Sequence, residues 1–280
     1  MFESAKIVTI LGLVLSLIPF SVASEQKKAL RFGSVAMDIP AVMHKRLTPL
    51  TTYLSKELNR EVVLDLSPNM KDAIKKVSSG EVDFAYLTPV AYIRSHEAGN
   101  TQLIAKTVTQ NKGSFQLMIV VREDSDIKNP SDLFGRSFAF GDKAALLQRA
   151  AVLGAGVPLE KLGKYDFLGH YDNIVRAVLN KEYDAGILKD TKAYKWEKRG
   201  IRIVYSTPQL PPYNIAARKM LDSETVTQLK KAFLKLDSSN PKHKPVIQAL
   251  SSKYSGFQAV TNKDYDVVRK LTLPFTKSDN

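Results

Sequence analysis

An α/β fold of two comparable units around a cleft is what this sequence predicts, and three observations carry the prediction. Short apolar runs alternate with helical stretches from residue 29 to residue 121, and the alternation restarts at residue 137. A polar, turn-rich stretch, 122–131, separates the two series. The chain of 280 residues, 44% hydrophobic and 25% charged, has material for a sizeable core and is neither disordered nor fibrous in composition.

The first unit opens with a strand over 29–35 that ends in Gly33-Ser34. Val42, Met43, Leu47, Leu50, Leu54 and Leu58 then place one apolar stripe on a helix over 40–58, with Pro40 near its start. A second strand covers 61–66. Asn69 caps a helix that runs through Ser78 and is ended by Gly80. Residues 82–87 are apolar on both faces, as buried parallel strands are. Thr88-Pro89 opens a helix to about Ala98, and 103–108 and 115–121 are further strands. Strands and helices in this order predict a mostly parallel sheet.

The second unit repeats the scheme. Strands at 137–140, 165–168, 183–188 and 201–205 alternate with helices at 144–153, 172–179 and 191–198. Pro208, Pro211 and Pro212 break the pattern, 213–217 reads as another strand, and the remainder is mostly helical, at roughly 223–236, 242–252 and 262–271. Two α/β units joined by extended segments leave a cleft at the carboxyl ends of their strands, where ligands bind in such folds.

The N-terminus carries an export signal. Lys6 precedes an apolar stretch from Ile7 to Phe20, followed by the small residues Ser21-Val22-Ala23-Ser24. The apolar run is shorter than the ~20 residues of a spanning helix, which favours a cleaved signal over an anchor. Residues 1–24 are therefore expected to be removed, and the mature chain to be periplasmic.

Composition removes several functions. The sequence has no cysteine, which excludes disulfides, thiolate metal sites and a cysteine nucleophile. No dinucleotide fingerprint, phosphate-binding loop, zinc-protease motif or serine elbow is present. His44, His96, His170 and His243 are scattered without metal-ligand spacing. No catalytic residue, metal or cofactor is expected. The net charge of +13 suits an anionic partner. The basic run Lys189, Lys192, Lys195, Lys198 and Arg199 is interleaved with Asp190 and Glu197, the composition of a solvated helix face rather than a nucleic-acid groove.

An ordered set of motifs then becomes specific. It begins with Pro49-Leu50-x-x-Tyr53-Leu54 and Val62-x-Leu64. Ser79-Gly80-Glu81-Val82-Asp83-Phe84-Ala85-Tyr86-Leu87-Thr88-Pro89 and Val120-Val121-Arg122 follow. The second unit adds Asp132-Leu133-x-Gly135-Arg136-Ser137-Phe138-Ala139-Phe140 and Asp172-Asn173, with Tyr183-Asp184-Ala185-Gly186 further on. Together these resemble the phosphate, phosphite and phosphonate substrate-binding proteins of ABC transporters, over roughly Leu30 to Asp237. The resemblance implies a two-lobed type II periplasmic-binding-protein fold with two extended hinge crossings. Lobe one would hold 25–120 and 208–280, and lobe two 121–207.

The resemblance also implies a ligand site from strand ends and helix starts of both lobes. The matching positions are Asn69, Thr88, Lys143, Ala144, Tyr171, Asp172, Asp190 and, in the return crossing, Tyr213. Helix starts supply free N–H groups, Thr88 and Tyr171 supply hydroxyls, Lys143 a charge and Asp190 an acceptor. Asn69, Thr88 and Asp172 are equally ordinary helix caps. One departure stands out. Phosphonate-binding members carry a Ser/Thr cluster after the lobe-two strand, where this chain has Gly141-Asp142-Lys143-Ala144-Ala145-Leu146-Leu147. The family's usual His before the helix Asp is Tyr171 here, with His170 one place earlier. The implied function is capture of a small ligand, an oxyanion favoured, by hinge closure and delivery to an ABC permease, with no enzymatic step. The alternative is a periplasmic sensor or adaptor of the same fold acting on a membrane receptor or sensor kinase.

Overall fold

The architecture was obtained from a computed structural model, which describes residues 28–35, 39–99 and 101–276. The expected signal, residues 1–24, lies outside the described residues. The first series is β1 (Leu30–Val35), α1 (Pro40–Leu58), β2 (Val62–Ser67), α2 (Met70–Ser79), β3 (Phe84–Leu87), α3 (Pro89–Glu97) and β4 (Thr101–Thr109). The second is β5 (Leu117–Arg122), β6 (Ser137–Phe140), α4 (Leu146–Gly154), β7 (Lys164–Phe167), α5 (Tyr171–Leu179), β8 (Ala185–Lys189), α6 (Asp190–Trp196) and β9 (Ile201–Ser206). The chain returns as β10 (Asn214–Arg218), α7 (Ser223–Leu234), α8 (Lys244–Gln248), β11 (Tyr254–Gln258) and α9 (Asp266–Thr276).

Two sheets result, a six-stranded one in the order β11-β4-β10-β3-β1-β2 and a five-stranded one in the order β7-β6-β8-β5-β9. Neither is mostly parallel. β10 runs antiparallel to β3 and β4, β11 antiparallel to β4, and β5 antiparallel to both β8 and β9. The cause is the connectivity. β5 and β10 enter their sheets from the other lobe, hence from the cleft edge where the parallel strands end. They can only run back against those strands. β5 pairs in the second sheet over its whole length, so residues 117–120 lie with lobe two, where the sequence boundary gives them to lobe one.

The segments between the sheets, 110–116 and 207–213, are hydrogen-bonded to each other. Phe115 and Leu210 exchange N–H···O bonds of 3.0 and 2.7 Å. The Thr207 hydroxyl accepts from the Leu117 N–H at 3.0 Å, and the Ser114 hydroxyl donates to Gln209 Oε1 at 2.8 Å. The hinge is thus a two-stranded ribbon.

Of the apolar stripe that the sequence predicts on α1, Met43, Leu47, Leu50, Leu54 and Leu58 are buried, while Val42 falls on the solvent side and is exposed. Asn69 caps α2, and Gly80 ends it with φ of 77°. Two expected helices differ. The helix expected over 242–252 is only α8, and β11 follows it where no strand was expected, held by its pairing to β4. The last helix begins at Asp266 after a single tight turn over Asn262–Tyr265, so α9 lies later than expected. α9 packs on α3 of lobe one and α4 of lobe two. Through Tyr265 and Val268 it joins one hydrophobic cluster containing residues of both sheets.

The two lobes share a fastening that explains two motif residues. Asp83 precedes β3, and its Oδ2 accepts from the Arg31 N–H of β1 at 2.8 Å. Asp184 precedes β8, and its Oδ2 accepts from the Ser137 N–H of β6 at 2.8 Å and from the Ser137 hydroxyl at 2.7 Å. Each carboxylate ties the start of one central strand to its neighbour, and Asp83 also holds Arg218 of β10. Gly186, in the same motif, lets α5 approach: a Cβ there would lie 2.3 Å from Ile174 Cγ2.

Replacing either carboxylate, Asp83→Ala or Asp184→Ala, is expected to cost about 1–2 kcal/mol in denaturant unfolding, since each is only partly buried. Burial pushes the Asp184 carboxyl up, but the Ser137 hydroxyl and N–H bonds outweigh it and hold the group below its usual value. A lowered folded value means that its contribution is present above about pH 4 and lost as the pH falls through the folded value. Asp184→Asn should therefore flatten the loss of stability on acidification below about pH 4. An unchanged acid limb would show that the charge contributes nothing.

Candidate functional site

The carboxyl edge of the first sheet forms one wall of the cleft. β3 ends in Tyr86-Leu87, and Tyr254 opens β11 opposite Thr109 at the end of β4. Tyr213 immediately precedes β10 and stacks on Tyr86, with ring centroids 5.0 Å apart. The Tyr86 and Tyr254 hydroxyls are hydrogen-bonded at 2.5 Å. Three tyrosines thus form one hydroxyl-bearing aromatic layer. Burial pushes the Tyr213 phenol up to about 12, with the Tyr254, Tyr171 and Asp142 charges adding in the same direction, and pushes Tyr86 well above its ordinary value. These rings are neutral donors at any physiological pH.

The second wall is the loop between β6 and α4 with the start of α5. Gly141 donates its N–H to Gln148 Oε1 at 2.8 Å, which folds the loop back on α4. Asp142 Oδ1 accepts from the Ala144 N–H at 2.8 Å, and its carbonyl accepts from the Ala145 N–H at 2.9 Å. This turn delays α4 to Leu146, two residues after the start the sequence suggests. Tyr171 opens α5, its phenol pushed up to about 12 by burial, against the Gln148 hydrogen bond that pulls it down.

The structure places the candidate residues as follows. The charges of Tyr171 and of Asp142, next to Lys143, both raise the Tyr213 phenol, so these lobe-two groups lie within electrostatic range of it. The Ala144 N–H is already taken up by Asp142. Lys143 is exposed. Asn69 uses its side-chain oxygen to cap α2, accepting from the Asp72 N–H at 3.0 Å. Thr88 caps α3 through the Ala91 N–H at 3.1 Å and keeps its hydroxyl proton available.

Asp172 pairs with Lys192 at 2.6 Å, and this bond is the main reason its carboxyl lies below the ordinary value. Asp190, only 6% exposed, serves the hinge. Its oxygens accept from the Gln116 N–H at 3.1 Å and the Thr191 N–H at 2.6 Å, and its own N–H donates to the Gln116 carbonyl. The adjacent Lys189 ammonium sits 4.8 Å from the Phe115 ring centroid. Burial lowers its pKa against the raising effect of Asp190, and Lys253 lowers it further. Among the described residues no group of three or more His, Cys, Asp or Glu side chains is placed to hold a metal ion.

Tyr86, Tyr254 and Gln148 adjoin the candidate residues, and the sequence reading does not single them out. Tyr86 stands in the quoted Phe84-Ala85-Tyr86-Leu87 run, where alternation alone would have marked it as sharing the face of Thr88. Tyr254 lies on the strand that the sequence does not reveal.

With this geometry in view, comparison with known proteins is decisive. Residues 32–265 match the family model described as ABC transporter, phosphonate, periplasmic substrate-binding protein. The chain belongs to this family. A curated relative, the phosphonates-binding periplasmic protein of Escherichia coli (strain K12), is 24% identical over 267 residues, 90% of this chain and 78% of the relative. Among solved structures, XAC2383 from Xanthomonas citri bound to ATP has a TM-score of 0.72 at 20% identity, covering 89% of this chain and 97% of that one. PhnD1 from Prochlorococcus marinus in complex with methylphosphonate has a TM-score of 0.68 at 22% identity, covering 89% and 99%. At these identities the solved structures establish the two-lobed type II fold. As a member of a periplasmic transporter family, the chain is a substrate-binding component, and no helix among its described residues is long and apolar enough to cross a membrane.

Asp190→Ala leaves the Gln116 N–H without its carboxylate and is expected to lower stability by about 1–3 kcal/mol in chemical unfolding. A variant as stable as the parent would remove Asp190 from the hinge.

Proposed function

We propose that the protein captures a small phosphorus oxyanion of the phosphonate class in the cleft and presents the closed form to an ABC permease. Family membership over residues 32–265 carries this reading, and the geometry supports it. Two walls of neutral hydroxyl donors face each other across a paired hinge, so a ligand that touches both favours the closed arrangement. The donors are Thr88 and Tyr213 on lobe one and Tyr171 on lobe two. Asn69 caps α2, Asp172 pairs with Lys192, Asp190 holds the hinge and the Ala144 N–H is bonded to Asp142, while Lys143 is exposed on the lobe-two loop. Export by a cleaved signal over residues 1–24 delivers the protein to the periplasm, where the permease is its partner. Membership of a transporter family favours this over presentation to a sensor kinase.

A thermal-shift panel confirmed by calorimetry tests the reading, with phosphate, phosphite, alkyl- and aminoalkylphosphonates, sulfate and carboxylates. A ligand at a hundred times its dissociation constant stabilises by ~2.7 kcal/mol, a readily measured rise in melting temperature. Tyr171→Phe or Thr88→Ala is expected to weaken the responding ligand by roughly 5- to 10-fold, as for a lost hydrogen bond. Silence toward every phosphorus compound would overturn the assignment.

A further inference from the structure

We propose that Arg46 holds the ligand's anionic group, so that the anion seats against the tyrosine layer of lobe one rather than in the lobe-two loop that Asp142 closes. The inference rests on the phosphonate-capture reading and names where its ligand's charge is met.

Arg46 lies on a defined edge of α1. Two and three turns further along that edge, Tyr53 donates its hydroxyl to the Ala232 carbonyl of α7 at 2.8 Å, and Glu57 pairs with Lys235 at 2.9 Å. The spacing of 46, 53 and 57 puts all three on one face, turned toward α7 and α8. Arg46 is the member nearest the start of the helix. That start follows the carboxyl end of β1 and so lies at the cleft. The Arg46 charge acts on the buried Tyr86 phenol, which is itself hydrogen-bonded to Tyr254.

The guanidinium is poorly satisfied. Its Nε is buried without a hydrogen-bond partner, and its Nη2 reaches only the Met43 thioether at 3.0 Å. Sulfur in a thioether is a weak acceptor. Arg31, Arg218 and Arg269 sit on carboxylates, while Arg46 forms no ion pair with any described residue. Arg46 as a whole is half-buried, its Nε lacks a partner among the described residues, and a planar fork of N–H donors matches the oxygens of a phosphonate. The lobe-two loop offers the opposite. The Ala144 N–H, the amide an incoming oxyanion would use, is bonded to Asp142, whose negative charge repels a dianion.

Calorimetric titration of the mature protein with methylphosphonate separates the two seats. Arg46→Gln is expected to lose ~30-fold or more in affinity without a fall in melting temperature, because the half-buried Arg46 forms no ion pair with any described residue. Arg46→Lys, which keeps the charge and loses the fork, is expected to lie between it and the parent. Lys143→Gln, on the lobe-two loop, is expected to change affinity less than ~3-fold. Parent-like binding by Arg46→Gln, or a larger loss from Lys143→Gln than from Arg46→Gln, would overturn the proposal while leaving phosphonate capture intact. A parent that binds no phosphonate would overturn the capture reading and this inference with it. Should Arg46→Gln fold poorly, Arg46→Lys alone decides, since affinity equal to the parent's would exclude a bidentate role.

Discussion

Everything that can touch a ligand in this protein depends on two strands that each begin in the other lobe. β5 and β10 enter their sheets at the cleft edge, and the segments leading into them pair through Phe115 and Leu210. Because β5 lies between β8 and β9, and β10 between β3 and β4, neither crossing is an edge attachment that can peel away. A rotation of the lobes must therefore be absorbed in the short ribbon itself. Asp190 reinforces it from the lobe-two side by holding the Gln116 backbone at both its N–H and its carbonyl. The hinge and the deepest part of the cleft are consequently the same place, with Tyr213 at the end of one crossing and Asp190 beside the other.

Each lobe is also fastened within its own sheet. Asp83 and Asp184 make the same bond in each sheet, from the residue before a central strand to a backbone N–H of its neighbour. The motif that carries the family resemblance, a short polar turn followed by Asp and two small or aromatic residues, is therefore a structural clasp. Its ligand relevance is indirect: it fixes the strand whose far end presents Thr88 in lobe one and Asp190 in lobe two. α9 adds a different restraint. It begins against α3, its preceding turn donates the Tyr265 hydroxyl to the Pro212 carbonyl in the return crossing, and it continues onto α4.

How much of this was legible in the sequence follows from which forces are local. The span of α1 was readable because an apolar stripe and Pro40 act within the helix itself. The same holds for α2, between Asn69 and Gly80, and for the strand over 137–140. Sheet polarity was not, because the direction of β5 and β10 is set by connections to the other lobe and leaves no local pattern. β11 was hidden for a related reason. Tyr254–Gln258 has no apolar alternation of its own, with Ser255 and Gly256 at its middle, and is a strand only because β4 offers it an edge. Among the candidate site residues, Tyr171 and Tyr213 were named through the resemblance. Tyr254 was lost with its strand. Arg46 was unreadable because a single arginine beside a leucine stripe looks like any helix-flank cation until its lack of a partner is seen.

The chemistry of the cleft follows from the imbalance between its neutral and charged groups. Burial keeps Tyr213 and Tyr171 protonated up to about 12, so their hydrogen-bonding role does not change across any pH the periplasm reaches. Such donors give direction and shape but bring no net charge to an anion, and without charge a doubly negative ligand would lose more in leaving water than the hydroxyls return. The charge must come from elsewhere in the wall. Lys189 is held over Phe115 in a position where burial already lowers its pKa, Lys143 points into solvent, and Asp142 has the wrong sign. The loop after the lobe-two strand satisfies itself, Asp142 holding the Ala144 and Ala145 N–H groups. With that loop closed on itself, the proposed seat for an anionic ligand is the helix side of lobe one, where the Arg46 Nε has no partner among the described residues.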